Sequence, residues 1–295
     1  QCVATASGMS AILATCMAHL KAGDHIVASQ SLFGATTNTF NNYFKKFGVE
    51  TTYVSATDVS EWKAAVRANT RMFFLETPSN PLTEISDIAA IAAVAKGCGA
   101  LLAVDNCFCT PILQRPLELG ADIVIHSATK YIDGQGRVLG GAVLGSREFI
   151  LDKLQPIIRN TGPSLSPFNA WVLVKGLETL GLRVERHCAN AARVADALAG
   201  HPAISRVLYP GRSDHPQHAL AAKQMSGFGG VVTFELDATI EGAFRFTDAC
   251  RIPYIAPSLG GVESLIEVPA LMSFWDRTPE ERAALGIRDS LVRLS

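Results

Sequence analysis

The chain has 295 residues, with 26 basic against 27 acidic side chains and a formal charge of −1. No global basic field therefore marks it for nucleic acid or an anionic membrane surface, and the length suits one large domain plus a smaller one. Its seven cysteines are odd in number, scattered and without a CxxC pair, which argues against a disulfide framework or a zinc knuckle and for reduced thiols in the cytoplasm.

Along the chain the apolar period switches repeatedly. "GMSAILATCMAHLKAGD" has helical spacing with a stop at Gly23, and "HIVAS" follows as a strand. The pattern predicts a helix over 34–46, a strand over 49–54 and a helix over 58–67. "RMFFLE" is the next strand, then the amphipathic "ISDIAAIAAVAKG", and then the strands "LLAVDN" and "DIVIHSA". Strands alternating with helices of this length predict an α/β fold with a mostly parallel central sheet, helices on both faces. Residues 145–200 read as mostly helical. A second set of strands begins at "ISRVLYP" and includes "FGGVVTFEL" and "SLVRLS". We place a boundary at residue 181, giving a large domain 1–181 and a smaller C-terminal α/β domain 182–295. No uninterrupted apolar run approaches membrane-spanning length. The chain starts at Gln1 and stops inside "SLVRLS", so both ends are expected to be cuts in a longer protein.

The polar residues share a placement. Glu76 ends "RMFFLE", Asp105 ends "LLAVD", and Ser127, Thr129 and Lys130 follow "DIVIH". In open α/β sheets, ligands bind outside the carboxyl ends of the strands, so two carboxylates and a lysine with hydroxyls converge on one edge. Gly8 and Met9 stand at the first turn of a helix, where free amides and the dipole favour a phosphate. A phosphate suits that helix end and the hydroxyls. A protonated pyridine nitrogen suits Asp105, and an aldehyde suits a partly desolvated Lys130. Pyridoxal 5'-phosphate combines all three.

"SATKY" around Lys130, "AVDNCFCTPILQRPLELGAD", "ETPSNP", "SGM" and "SLGGVESLIE" resemble the Cys/Met-metabolism family of pyridoxal-phosphate enzymes, of fold type I. The family includes cystathionine synthases and lyases, methionine γ-lyase and homoserine-ester sulfhydrylases. The resemblance implies a Schiff-base role and proton shuttling for Lys130, with Asp105 on the pyridine N–H. It implies that Gly8, Met9, Ser127 and Thr129 hold the phosphate and that Asn80 approaches the phenolic oxygen. Arg293, with Ser258 nearby, is implied as a bidentate clamp for the substrate α-carboxylate. Homo-oligomers, as dimers of dimers with shared sites, are implied too.

Two departures matter. Many members have a ring-stacking tyrosine in the segment matching "SLFGAT", where this chain has Phe33, which can stack but carries no hydroxyl. The family's Tyr-x-Arg element, which reaches the neighbouring subunit's phosphate, is expected upstream of Gln1. Phe33, "NNYFKKFGVE" and "SLIEVPALMSFW" resemble the sulfhydrylase branch, which implies γ-replacement on O-succinylhomoserine by sulfide. Cystathionine γ-synthase and the γ-lyases are the alternatives.

Each residue alone has a plainer reading. A strand-end lysine is mostly a solvated charge, Asp105 suits a turn or cap, Glu76 is read as structural and left off the catalytic set, and Phe33 suits a core. "HPQH" (His215, His218) reads as surface, and no metal site is expected. "GQGRVLGG" fails the dinucleotide fingerprint. Ser127-Ala-Thr-Lys130 is formally S-x-x-K, but that hydrolase reading also needs S-D-N and K-T-G, and neither string occurs. A non-catalytic scaffold sits poorly with intact Lys130, Asp105 and Arg293.

Overall fold

The computed structural model describes residues 1–295. Strands β1 (Cys2–Thr5), β2 (His25–Ser29), β3 (Glu50–Val54), β4 (Thr70–Glu76), β5 (Leu101–Asp105), β6 (Ile123–Ser127) and β7 (Gly141–Gly145) form one sheet in the order β1-β7-β6-β5-β4-β2-β3. The pairs from β6 through β3 are parallel, and only β7 runs against its neighbours. The strands read as continuous apolar runs because both faces are covered. Along β4, Met72 and Phe74 join one core with Ile26, Ala103, Ile125 and Ile12. Phe73 and Leu75 point the other way, into a core with Trp62, Ile88, Ile91 and Val104.

Helix Gly8–His19 is capped by Ser7, whose hydroxyl accepts the Ser10 N–H at 3.1 Å. The region predicted as a helix over 34–46 is helical but uneven: an α segment Gly34–Asn38, a wide turn Thr39–Tyr43 and a tight turn Phe44–Phe47. The strands predicted at 25–29, 49–54 and 71–76 are present as His25–Ser29, Glu50–Val54 and Thr70–Glu76, and residues 148–199 are mostly helical. β1 and β7 were not foreseen.

A second sheet contains β8 (Ile204–Leu208), β9 (Val232–Leu236), β10 (Tyr254–Ile255), β11 (Leu265–Glu267) and β12 (Leu291–Leu294), ordered β10-β11-β12-β9-β8. It is mostly antiparallel; only β10 and β11 pair in parallel. The 20-residue helix Leu180–Ala199 leads into it. From that helix Arg183 donates back to the carbonyls of Tyr131 and Ile132. Thr233 donates to the Pro81 carbonyl at 2.6 Å, so the two sheets meet beside the loop after β4. No helix is long and apolar enough to cross a membrane.

Candidate active site

β4, β5 and β6 are adjacent and parallel, so their carboxyl ends deliver Glu76, Asp105 and Ser127 side by side, with Glu76 and Asp105 as register partners. A cavity of about 470 Å³ opens there. It is lined by Gly8, Met9, Phe33, Asn80, Ser258 and Arg293 as well as by Glu76, Asp105, Ser127 and Lys130. Nine of the ten candidate site residues read from the sequence therefore share one cavity, and Glu76 joins them.

Thr129 is the exception. It lies outside the cavity lining; its hydroxyl donates to the Gly140 carbonyl at 3.3 Å and accepts the Gly140 N–H at 3.2 Å. The hydroxyl thus braces the approach to β7, and donating to a phosphate would require releasing the Gly140 carbonyl. His215 is a second correction: it is buried, at 5 % exposure, and accepts the Gln217 N–H. His218 is bonded to the Pro210 carbonyl.

Lys130 follows β6 and its Nζ donates to Ser258 Oγ at 3.1 Å. Burial lowers its pKa, and Arg293 pushes in the same direction. The Asp105 Oδ1 accepts the Cys107 N–H at 3.0 Å. Burial raises the Asp105 pKa to about 6. Glu76 is raised well above the usual carboxyl range, first by burial and then by Asp105 beside it. Six carboxylates are buried in this protein: Asp24, Glu76, Asp105, Asp133, Glu235 and Glu267. Four of them have an arginine within 4.0 Å. Only Glu76 and Asp105, both in the cavity wall, have no cation in that range.

Buried negative charge without a partner is costly unless a ligand brings the cation. The donor set therefore fits pyridoxal phosphate: an acid for the ring nitrogen, a depressed amine for the aldehyde and a helix end for the phosphate. That helix end is held tightly against β6. A Cβ built at Gly8 would lie 2.8 Å from the Ser127 Cβ, so glycine is what lets the first-turn amides reach the Ser127 hydroxyl's side of the cavity.

Arg293, on β12, is 1 % exposed. Its Nη2 donates to the carbonyls of Pro257 and Ser258 at 2.9 and 2.8 Å, and its Nη1 donates to Asn80 Oδ1 at 3.0 Å. Nη1 also lies 2.7 Å from Glu267 Oε1, and Nε is buried without a partner. A bidentate carboxylate must therefore displace some of these contacts. Sequence reasoning assigned no role to Glu267, although "LIE" ends an apolar run in an acid as "FFLE" and "AVD" do. Its carboxylate also accepts the Ser273 hydroxyl, at 3.0 and 2.8 Å.

The family model described as "Cys/Met metabolism PLP-dependent enzyme" matches residues 1–295. The chain belongs to this family. Its fold is that of the fold type I members, and its cofactor is pyridoxal 5'-phosphate. O-succinylhomoserine sulfhydrylase of Pseudomonas aeruginosa is 52% identical over 295 residues, which is all of this chain and 73% of that relative. L-methionine γ-lyase of Fusobacterium nucleatum is 44% identical over 296 residues, covering 99% of this chain and 75% of that one. The crystal structure of cystathionine γ-lyase from Lactobacillus plantarum complexed with L-serine superposes with a TM-score of 0.94 at 39% identity, over 100% of this chain and 77% of that one. The protein is thus a pyridoxal-phosphate-dependent enzyme of Cys/Met metabolism.

Proposed function

We propose that the enzyme replaces the succinate of O-succinylhomoserine by sulfide, giving homocysteine and succinate in methionine biosynthesis. In that reaction the Cγ–O bond to succinate breaks and a Cγ–S bond forms. Pyridoxal phosphate, when bound, supplies an electron sink for the charge that develops on the substrate carbons. Lys130 is the base: its burial-depressed amine takes the Cα proton and then a Cβ proton, and returns protons later. Ser258 holds that amine at the cavity. Asp105 would keep the ring nitrogen charged, and Asn80 would face the phenolic oxygen. Gly8 and Met9 amides with Ser127 would hold the phosphate, and Thr129 would join them only by releasing the Gly140 carbonyl. Arg293 binds the α-carboxylate. Residues 1–181 form the cofactor domain and 182–295 the domain that supplies this clamp.

The observation that carries the choice of reaction is Phe33. It stands at the mouth of the cavity, 48 % exposed, and offers a ring without a proton. A thiolate leaving group in a lyase gains from an acid overhead, whereas succinate leaves as a stable carboxylate. The wild-type enzyme is expected to convert O-succinylhomoserine and sulfide efficiently and to cleave methionine or cystathionine slowly. Phe33→Tyr is expected to raise the lyase rates several-fold. The test is kcat/KM for succinyl and acetyl esters, each with sulfide and with cysteine, beside methionine and cystathionine cleavage. Faster cleavage than sulfhydrylation would favour a γ-lyase, and preference for cysteine would favour a cystathionine γ-synthase.

Arg293→Lys keeps a cation but loses the planar fork. Its KM for the amino-acid substrate is expected to rise about ten- to a hundredfold, the scale of one or two charge-assisted hydrogen bonds, with a smaller fall in kcat. Arg293→Ala strands Glu267, and its melting curve is expected to show a loss of roughly 3–5 kcal/mol.

We further propose a cytoplasmic homo-oligomer, a dimer of dimers with shared sites. All seven cysteines are free thiols. Helix Pro167–Leu177 exposes Phe168, Trp171 and Val174 together, a stripe that a second copy can cover. Sedimentation of the full-length protein tests this assembly.

A further inference from the structure

Glu76 lines the cavity yet has no part in the chemistry above. Its side chain makes one hydrogen bond, through Oε2, which accepts the Phe33 backbone N–H at 2.9 Å. Phe33 is the N-cap of the helix Gly34–Asn38 and has no side-chain oxygen to cap it. An N-cap amide is one of the donors a helix leaves unpaired, and in a capping box an acid three residues on takes it. Here Ala35 and Thr36 follow instead, and the acid comes from β4, 43 residues away in sequence. The strand that ends in Glu76 is among the most deeply buried in the fold, with Met72, Phe73, Phe74 and Leu75 all at 0 % exposure, so the anchor is rigid. The residue it anchors is half-exposed.

We infer that Glu76 is a positioning residue: from the rigid end of β4 it fixes the backbone of Phe33 and so sets the Phe33 ring over the cofactor cavity. The inference rests on the reading of Phe33 as the stacking ring. It also says what kind of group the site needs. The requirement is a hydrogen-bond acceptor at this reach, not a charge. Burial beside Asp105 favours the neutral carboxyl, which accepts an N–H through its carbonyl oxygen as an amide does. Glutamine should therefore serve, whereas aspartate, shorter by one methylene of about 1.5 Å, should fall short of the amide.

The test is the loading of full-length apoenzyme with pyridoxal phosphate, followed by visible circular dichroism, for Glu76→Gln, Glu76→Asp, Glu76→Ala and Phe33→Ala. Glu76→Gln is expected to bind within about threefold of wild type and to keep the wild-type dichroism. Glu76→Asp and Glu76→Ala are expected to bind about tenfold more weakly, the scale of one buried hydrogen bond, with the altered dichroism of Phe33→Ala. A Glu76→Gln protein that behaves like Phe33→Ala overturns the inference, because charge and not acceptance would then matter; this holds even if the alanine variant fails to fold. Wild-type behaviour of Glu76→Ala overturns it as well. Unchanged dichroism in Phe33→Ala overturns the stacking reading itself and the inference with it, which separates the two failures.

Discussion

Replacement of Lys130 by alanine is expected to lower turnover by about a hundred- to ten-thousandfold while leaving the protein folded. The amine is the only cavity cation other than Arg293, and it has no carboxylate partner within 4.0 Å to hold it charged. Desolvation favours its neutral, nucleophilic form. A positioned proton-transfer group contributes about two to four orders of magnitude, and no other lysine lines the cavity to substitute. Its bond to Ser258 joins the segments that follow β6 and β10, but it is a partly buried contact whose loss costs about 1 kcal/mol. Borohydride reduction of the loaded wild-type enzyme, followed by peptide mapping, should place the pyridoxyl group on Lys130; label on another lysine would reject the assignment.

Asp105→Asn is expected to separate stability from activity. The amide cannot hold a ring nitrogen protonated, and loss of such a charge interaction costs roughly 3–4 kcal/mol of barrier, or two to three orders of magnitude in kcat. Without the cofactor the sign reverses. The folded-state pKa of Asp105 is raised to about 6 from an ordinary 3.8. A raised pKa means that the folded state binds the proton more tightly, so the stability linked to it is full below the ordinary value and is lost as pH rises through about 6. At pH 8 the buried, unpaired carboxylate then costs apoenzyme on the order of 2–3 kcal/mol. Asparagine carries no such charge. Apo Asp105→Asn should melt higher than apo wild type at pH 8, with the gap closing towards pH 4. A gap that does not change with pH would show that Asp105 is not the group responsible.

Much of this site was legible before any coordinates because strand ends are easy to read. An apolar run that stops at Glu76, Asp105 or Ser127 announces both the sheet and its functional edge. What stayed hidden depends on contacts between residues far apart in sequence. The Thr129 hydroxyl looks free until Gly140 folds back onto it. The Arg293 fork looks available until Asn80, Glu267 and two carbonyls surround it. β7 was not foreseen because Gly140, Gly141 and Gly145 dilute its apolar pattern, yet pairing on both sides, with β1 and β6, holds it as a strand. The Glu76 to Phe33 bond likewise leaves no mark in either local sequence.

The placement of β12 has a consequence for how the enzyme matures on the ribosome. It follows every other strand of its sheet in sequence, but it sits in the middle, between β11 and β9. Until residues 291–294 emerge, β9 and β11 have no common neighbour, and neither the sheet nor the carboxylate clamp exists. Lys130, Asp105 and the Gly8 helix end belong to a layer completed some 150 residues earlier, and domains tend to fold in order of synthesis. A nascent chain should thus be able to capture its coloured cofactor well before it can discriminate among amino acids.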